Sequence, residues 1–123
     1  MTGSDRGSVS VVAAGVTAVL AAIVLLSVDA ARLLAAQART ETAADAAALA
    51  AAQEQVVPSD DAPTEAASRF AAANDAELVA CRCDPGGSES VVTVRSVGPE
   101  LFLLSDRREL RATARAVVDL PAG

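Results

Sequence analysis

Residues 7–28, GSVSVVAAGVTAVLAAIVLLSV, form a run of twenty-two residues without one charged side chain. As a helix such a run spans roughly 33 Å, against about 30 Å for the hydrocarbon core of a bilayer. It begins directly after Asp5-Arg6 and ends at Asp29. The rest of the chain is too short and too rich in alanine to bury such a helix on all sides, so the run predicts a transmembrane helix over 8–28 rather than a core helix. The competing reading is a secretory signal peptide, since SVDA before Ala31 offers small residues for cleavage. An h-region is about 7–15 residues, shorter than this one, and Asp29 would lie inside the cleavage motif. A retained, single-pass anchor in the cell (plasma) membrane is the expectation. A small secreted binding protein released by signal peptidase is the alternative.

Nothing stops the helix at its polar end. Residues 29–57 contain no proline and no glycine, and Ala, Leu, Gln, Glu and Arg dominate them, all good helix formers. One continuous helix is therefore predicted from about Val9 to Val56, on the order of 70 Å long. Its second half, 29–57, would stand in water outside the bilayer, with Asp29 and Arg32 close enough on one face to pair weakly. At about 100° per residue, Leu34, Ala38, Asp45, Leu49, Ala52 and Val56 share a stripe. A carboxylate on a packing face needs a partner. Asp45, with Leu49 and Val56, is accordingly expected to contact a docked head or a neighbouring subunit; the alternative is a partly wet face and a solvated Asp45. Ala14, Ala18 and Ala22, with Gly15 beside them, recur at the small-xxx-small spacing that lets a second membrane helix, or another copy of this one, approach closely. In so alanine-rich a chain the same spacing also arises by chance.

PSDDAP, residues 58–63, breaks the rod and reads as a linker. Residues 64–123 then read as a small α+β head. A short helix over 64–74 has Asp60 or Asp61 as cap, Phe70 as its main anchor and Asn74-Asp75 as its stop. Strands follow over 77–83 and 91–97, joined through the turn DPGGS. In the last segment Leu110, Ala112, Ala114, Ala116 and Val118 alternate with Arg111, Thr113, Arg115 and Asp119, a half-buried strand. LFLL, residues 101–104, could be strand, helix or a membrane-proximal contact. The fold class is α+β: a long pilin-like helix, then one short helix and about three antiparallel strands. About sixty residues make a marginal core alone, so the head should dock on the rod or meet a partner. Arg111, Arg115, Arg82 or Arg95 could then reach Asp45.

Function classes narrow quickly. The formal net charge is −6, and all ten basic residues are arginines scattered without a stripe, which argues against nucleic-acid binding. With no histidine and no lysine, the chain lacks the commonest general base and any Schiff-base amine. It also has no glycine-rich phosphate loop. Cys81 and Cys83 point to one face of a strand. A disulfide between them would be strained in a fully extended chain. The other readings are buried thiols or bridges to another chain. Without a second pair they make a poor zinc site. Neither an enzyme nor a cofactor or metal site is expected. Arg6 precedes the apolar run while Arg32 and Arg39 follow it, a bias of one arginine toward a cytoplasmic C-terminus.

Three pieces carry a family resemblance: Arg6-Gly7-Ser8 opening the apolar run, Val28-Asp29 with Arg32 at its exit, and AADAAALAAA over 43–52. With these the N-terminal region resembles the TadE/TadG-like (tight-adherence) pilus-assembly proteins, and AAANDAELVACR over 71–82 is similar to the short TadE-like proteins of high-GC Gram-positive bacteria. The resemblance implies a cytoplasmic stub over 1–7, a membrane helix and an extracytoplasmic head, overriding the arginine count. It implies partners among membrane lipid and other pilus-assembly or secretion proteins. It also makes Gly7-Ser8 a candidate processing site, although pilins of the broader class carry a glutamate a few residues on, where this chain is apolar around Val12.

Overall fold

The computed structural model describes residues 3–104, 108–119 and 121. Residues 1 and 2 of the expected stub, and 105–107, 120, 122 and 123 of the expected head, lie outside the described residues. The elements are helix α1 (Gly3–Val56), helix α2 (Pro63–Ala73) and strands β1 (Glu77–Arg82), β2 (Glu89–Val97) and β3 (Glu109–Val117). The fold is α+β, and the long helix runs through Asp29 without a break. It ends where the chain reverses before Pro58: Glu54 Oε2 accepts the Ser59 backbone N–H at 2.9 Å and its hydroxyl at 2.8 Å.

The strands form one antiparallel sheet in the order β1-β2-β3. Both helices lie on its inner face, α1 against α2, β2 and β3, and α2 against β1. Period-2 alternation sets that face. Ser90, Val92 and Val94 of β2 pair with Ala116, Ala114 and Ala112 of β3, and all six are buried. β1 departs from strict alternation through a bulge between Leu78 and Ala80. The extra residue lets both Leu78 and Cys81 pack on the core although their spacing is odd.

The core is built from small residues. Ala43, Ala44, Ala47 and Ala51 of α1 and Ala66, Ala67 and Ala71 of α2 are each at most 1% exposed, and Val92 and Val94 are the largest apolar side chains fully buried. Alanine costs no rotamer entropy and lets helix backbones lie close to the sheet. This corrects two expectations. Phe70 is not the anchor of α2: it is 44% exposed, and the alanines beside it make the contact. Nor does the head dock on the stripe containing Asp45, Leu49 and Val56. Asp45 is exposed, Leu49 is 65% exposed and Val56 is half-buried. At about 100° per residue that stripe lies roughly opposite Ala43, Ala47 and Ala51. The stripe exists, but close approach selects the face with the least side-chain volume.

α2 has no side-chain cap either. Its N-cap is Ala62, with Pro63 opening the first turn, and Asp61 is instead paired with Arg69. At its other end the stop falls on Asn74-Asp75 as expected. Asp75 is left-handed at φ 58°, and the Asp75 and Ala76 amides return to the Ala72 and Ala71 carbonyls at 3.1 and 3.0 Å. That is a Schellman closure with an aspartate where glycine is usual.

The docking face makes opposite predictions for two neighbours. Ala47→Leu should overpack the interface and cost about 1–3 kcal/mol, lowering the melting temperature and speeding proteolysis near Pro58. Leu49→Ala should stay within about 0.5 kcal/mol of the parent. Equal effects of the two would refute the assignment of faces.

Candidate functional site

The contact between α1 and the head is the best-developed arrangement in the molecule. Four polar fasteners follow one line along the rod. Nearest the start of the head-bearing half, Asp29 is 3% exposed. Its two carboxylate oxygens accept the backbone N–H groups of Phe102 at 2.8 Å and Leu103 at 2.9 Å. Next, Thr40 Oγ1 donates to the Ala36 carbonyl at 2.9 Å and lies 2.6 Å from Ser96 Oγ. Ser90 Oγ then donates to the Ala48 carbonyl at 2.7 Å. Last, Gln55 Nε2 donates to the carbonyls of Asp84 at 2.8 Å and Glu89 at 3.1 Å.

Positions 29, 40, 48 and 55 fall within about 100° of arc on a helix. They bracket the alanine face and hold β2 antiparallel to α1. The turn beyond β1 fits this line. Gly87 N–H closes on the Asp84 carbonyl at 2.9 Å, with Pro85 next and Gly86 at φ 80°, the dihedral pattern of a type II turn. A Cβ on Gly87 would lie 3.0 Å from the Asp84 carbonyl and 3.2 Å from Gln55 Nε2. The glycine thus leaves room for the Gln55 fastener. Sequence reading missed Thr40, Gln55, Ser90 and Ser96 altogether. Ser90 and Ser96 lie on β2, and Thr40 and Gln55 sit beside other polar residues on α1, so no sequence pattern singled them out.

Asp29 was expected to pair with Arg32, but it serves the loop instead. Arg32 stacks its guanidinium 4.5 Å from the centre of the Phe102 ring and donates to the Glu100 carbonyl at 3.4 Å. Asp45 has no hydrogen-bond or ionic partner among the described residues, and none of the four candidate arginines is committed to it. Arg95 pairs with Glu77, Arg111 with Glu109 and Arg115 with Glu89, on the solvent face of the sheet. Arg82 is exposed.

Cys81 and Cys83 are joined in a disulfide with a Cα separation of 5.4 Å. That is shorter than two steps of an extended strand, about 6.5 Å. Cys83 lies just beyond the end of β1, where the chain is no longer extended. Among the described residues no group of His, Cys, Asp or Glu is clustered to hold a metal ion. In the apolar half of α1, Gly7, Ser8, Ala14, Ala18 and Ala22 are all exposed. A shallow apolar depression there centres on Gly15, between Val12, Val16, Val19 and Leu20.

The overall form is one helix whose first half is long and apolar enough to cross a membrane and whose second half carries a small head. Its most apolar eighteen residues have a mean hydropathy of 2.7, and none of them is buried. A family model described as Tad, putative Flp pilus-assembly TadE/G-like, matches residues 7–54. The match covers about two-fifths of the chain, and over those residues the N-terminal region is similar to the TadE/G-like family. No curated protein and no solved structure gives a match.

Two predictions follow from these geometries. Asp29→Ala would strand the Phe102 and Leu103 amides, a loss of about 1–3 kcal/mol. Their hydrogen exchange should accelerate by roughly tenfold or more, while amides of β2 keep their protection; unchanged exchange at 102 and 103 would dismiss the clamp. On the solvent face, hydrogen bonding to Arg95, and then its charge, holds the Glu77 carboxyl below the usual carboxylate range. A depressed folded value means this pair contributes above the ordinary carboxylate pKa and fades as pH falls through the lowered one. The contribution is small because both groups are wet. Carboxyl NMR titration should place Glu77 low in the parent and return it to the ordinary range in Arg95→Ala.

Proposed function

We propose that this protein is a non-enzymatic, single-pass, pilin-like component or accessory of Tad-type pilus assembly or an associated secretion apparatus. In this reading residues 8–28 cross the plasma membrane, the N-terminus is cytoplasmic and the head is extracytoplasmic. The observation that carries the proposal is coincidence of extent. The match over 7–54 falls within α1 (Gly3–Val56) and takes in both the unburied apolar half and the alanine face under the head. The matched stretch of this chain is therefore a rod that is lipid-compatible at one end and head-bearing at the other. A disulfide beside the core suits an oxidising exterior.

The rod has surface left for partners. Leu34, Asp45 and Leu49 stay exposed opposite the head, and Val56 continues their stripe. They are the proposed contact with another subunit or assembly protein, which would supply the ion partner that Asp45 lacks among the described residues. Ala14, Ala18 and Ala22 lie at about the same azimuth as the head-docking alanines, so a second membrane helix seated on them would run beneath the head. Gly7-Ser8 remains the proposed processing site.

Thiol labelling of a Ser59→Cys variant in intact cells, with a membrane-impermeant maleimide, tests the orientation. Labelling before lysis is expected; labelling only after lysis would overturn it. The intact mass of the cell-associated chain decides between anchor and secretion. Retention of residues 8–28 is expected, with or without a cut at Gly7, whereas loss of about the first thirty residues would favour the secreted alternative.

A further inference from the structure

Residues 101–104, the LFLL run, carry large apolar side chains that lie outside the buried core of the head. Phe102 is 60% exposed, Leu103 47% and Leu104 48%. Three adjacent large apolar side chains in water are unusual for a loop. Yet this loop is held firmly: the Asp29 carboxylate takes two consecutive N–H groups, and Arg32 covers the Phe102 ring. Its height on the rod is therefore fixed, and Asp29 is the first charged residue after the uncharged run of 7–28. The loop sits at the edge of the lipid-compatible helix and not out along the rod. Exposure within that helix agrees. Leu25 and Val28, in the turn just before Asp29, are each 37% exposed, against 53–72% for the other large apolar side chains over 9–28.

We propose that the 101–104 loop is a second lipid contact, an interfacial wedge whose Phe102, Leu103 and Leu104 side chains enter the headgroup–acyl boundary of the bilayer. The inference rests on the membrane reading of α1 and adds to it. The occupant is the lipid surface because the loop is continuous in height with the span. Its chemistry also matches: apolar side chains next to an arginine that can lean outward to the headgroups while its stem stays on apolar surface. The clamp solves the loop's backbone problem at that depth. Asp29 satisfies two N–H groups that a drier environment would leave unpaired, and those N–H groups in turn satisfy a carboxylate at the lipid edge. With the span as one contact and the loop as another, the head has a fixed height and tilt above the membrane. A rod anchored at one point alone would leave both free.

The chain has no tryptophan, so single reporters are unambiguous. The full chain would be placed in phosphatidylcholine vesicles containing lipid spin-labelled high on the acyl chain, with Phe102→Trp, Val16→Trp in the span and Val79→Trp on the exposed strand as three separate variants. The F102W variant should show blue-shifted emission and at least about twofold more quenching than V79W, as expected for a side chain at the acyl boundary. Adding Asp29→Ala to F102W should reduce that quenching toward the V79W value. If V16W is quenched and F102W behaves like V79W, the wedge is overturned while the span survives. If V16W is not quenched, the membrane reading itself fails and the wedge falls with it.

Discussion

The close approach of one alanine face to a sheet is the constraint on which this structure depends. Ala43, Ala47 and Ala51 present so little volume that the inner face of β2 lies within hydrogen-bond reach of the helix backbone, as the Ser90–Ala48 contact shows. Longer side chains on that face would hold the sheet away and break every short polar fastener at once. The usual way to stabilise a head this small is a few large buried side chains. This chain uses many small ones, plus directional bonds at Thr40, Ser90 and Gln55. Hydrogen bonds of this kind add about 1 kcal/mol each and fix register more than they add stability. The head's position along the rod is therefore strongly specified even though its core is modest.

The architecture was legible where a pattern had one physical meaning. Uncharged length predicted a span-capable helix. The absence of breakers through Val57 predicted its continuation. Alternation from Leu110 to Val118 predicted β3, whose alanines at 112, 114 and 116 are buried. Asn74-Asp75 predicted the end of α2. The docking face was misread because volume was taken as the signal. Leu34, Leu49 and Val56 form the more hydrophobic stripe, and in a helix packing on side chains alone that stripe would face inward. Where nearly every other position is alanine, the smooth face packs best and the bulky one is left outside. The same misjudgement put Phe70 in the core.

The fasteners were illegible for a different reason. Gln55, Thr40 and Ser90 are ordinary residues whose importance comes from partners 29 to 56 positions away, and single-sequence periodicity carries no information about such pairs. Asp29 was visible as a boundary charge, and the reading stopped at its nearest cation. A carboxylate with two acceptor oxygens prefers two backbone donors in fixed geometry to one mobile guanidinium, and the 101–104 loop supplies them. Likewise the β1 bulge could not be read from the sequence, although it is what allows Leu78 and Cys81 to share a face.

These features together would let a single helix serve two solvents, as the proposed membrane placement requires. Over 7–28 its surface is apolar all round, as lipid requires. Beyond Asp29 only one face is committed, to the head, and the opposite face keeps Asp45 and Leu49 in the open. The proposed assembly role needs that asymmetry, because a helix satisfied on all sides by its own head would have nothing left to offer a neighbour. An aspartate at the junction meets both demands: charge ends the lipid-compatible run, and its oxygens tie the head to the rod at the same height. The end of the uncharged run and the anchor of the fold are thus one residue, so a change at Asp29 acts on both.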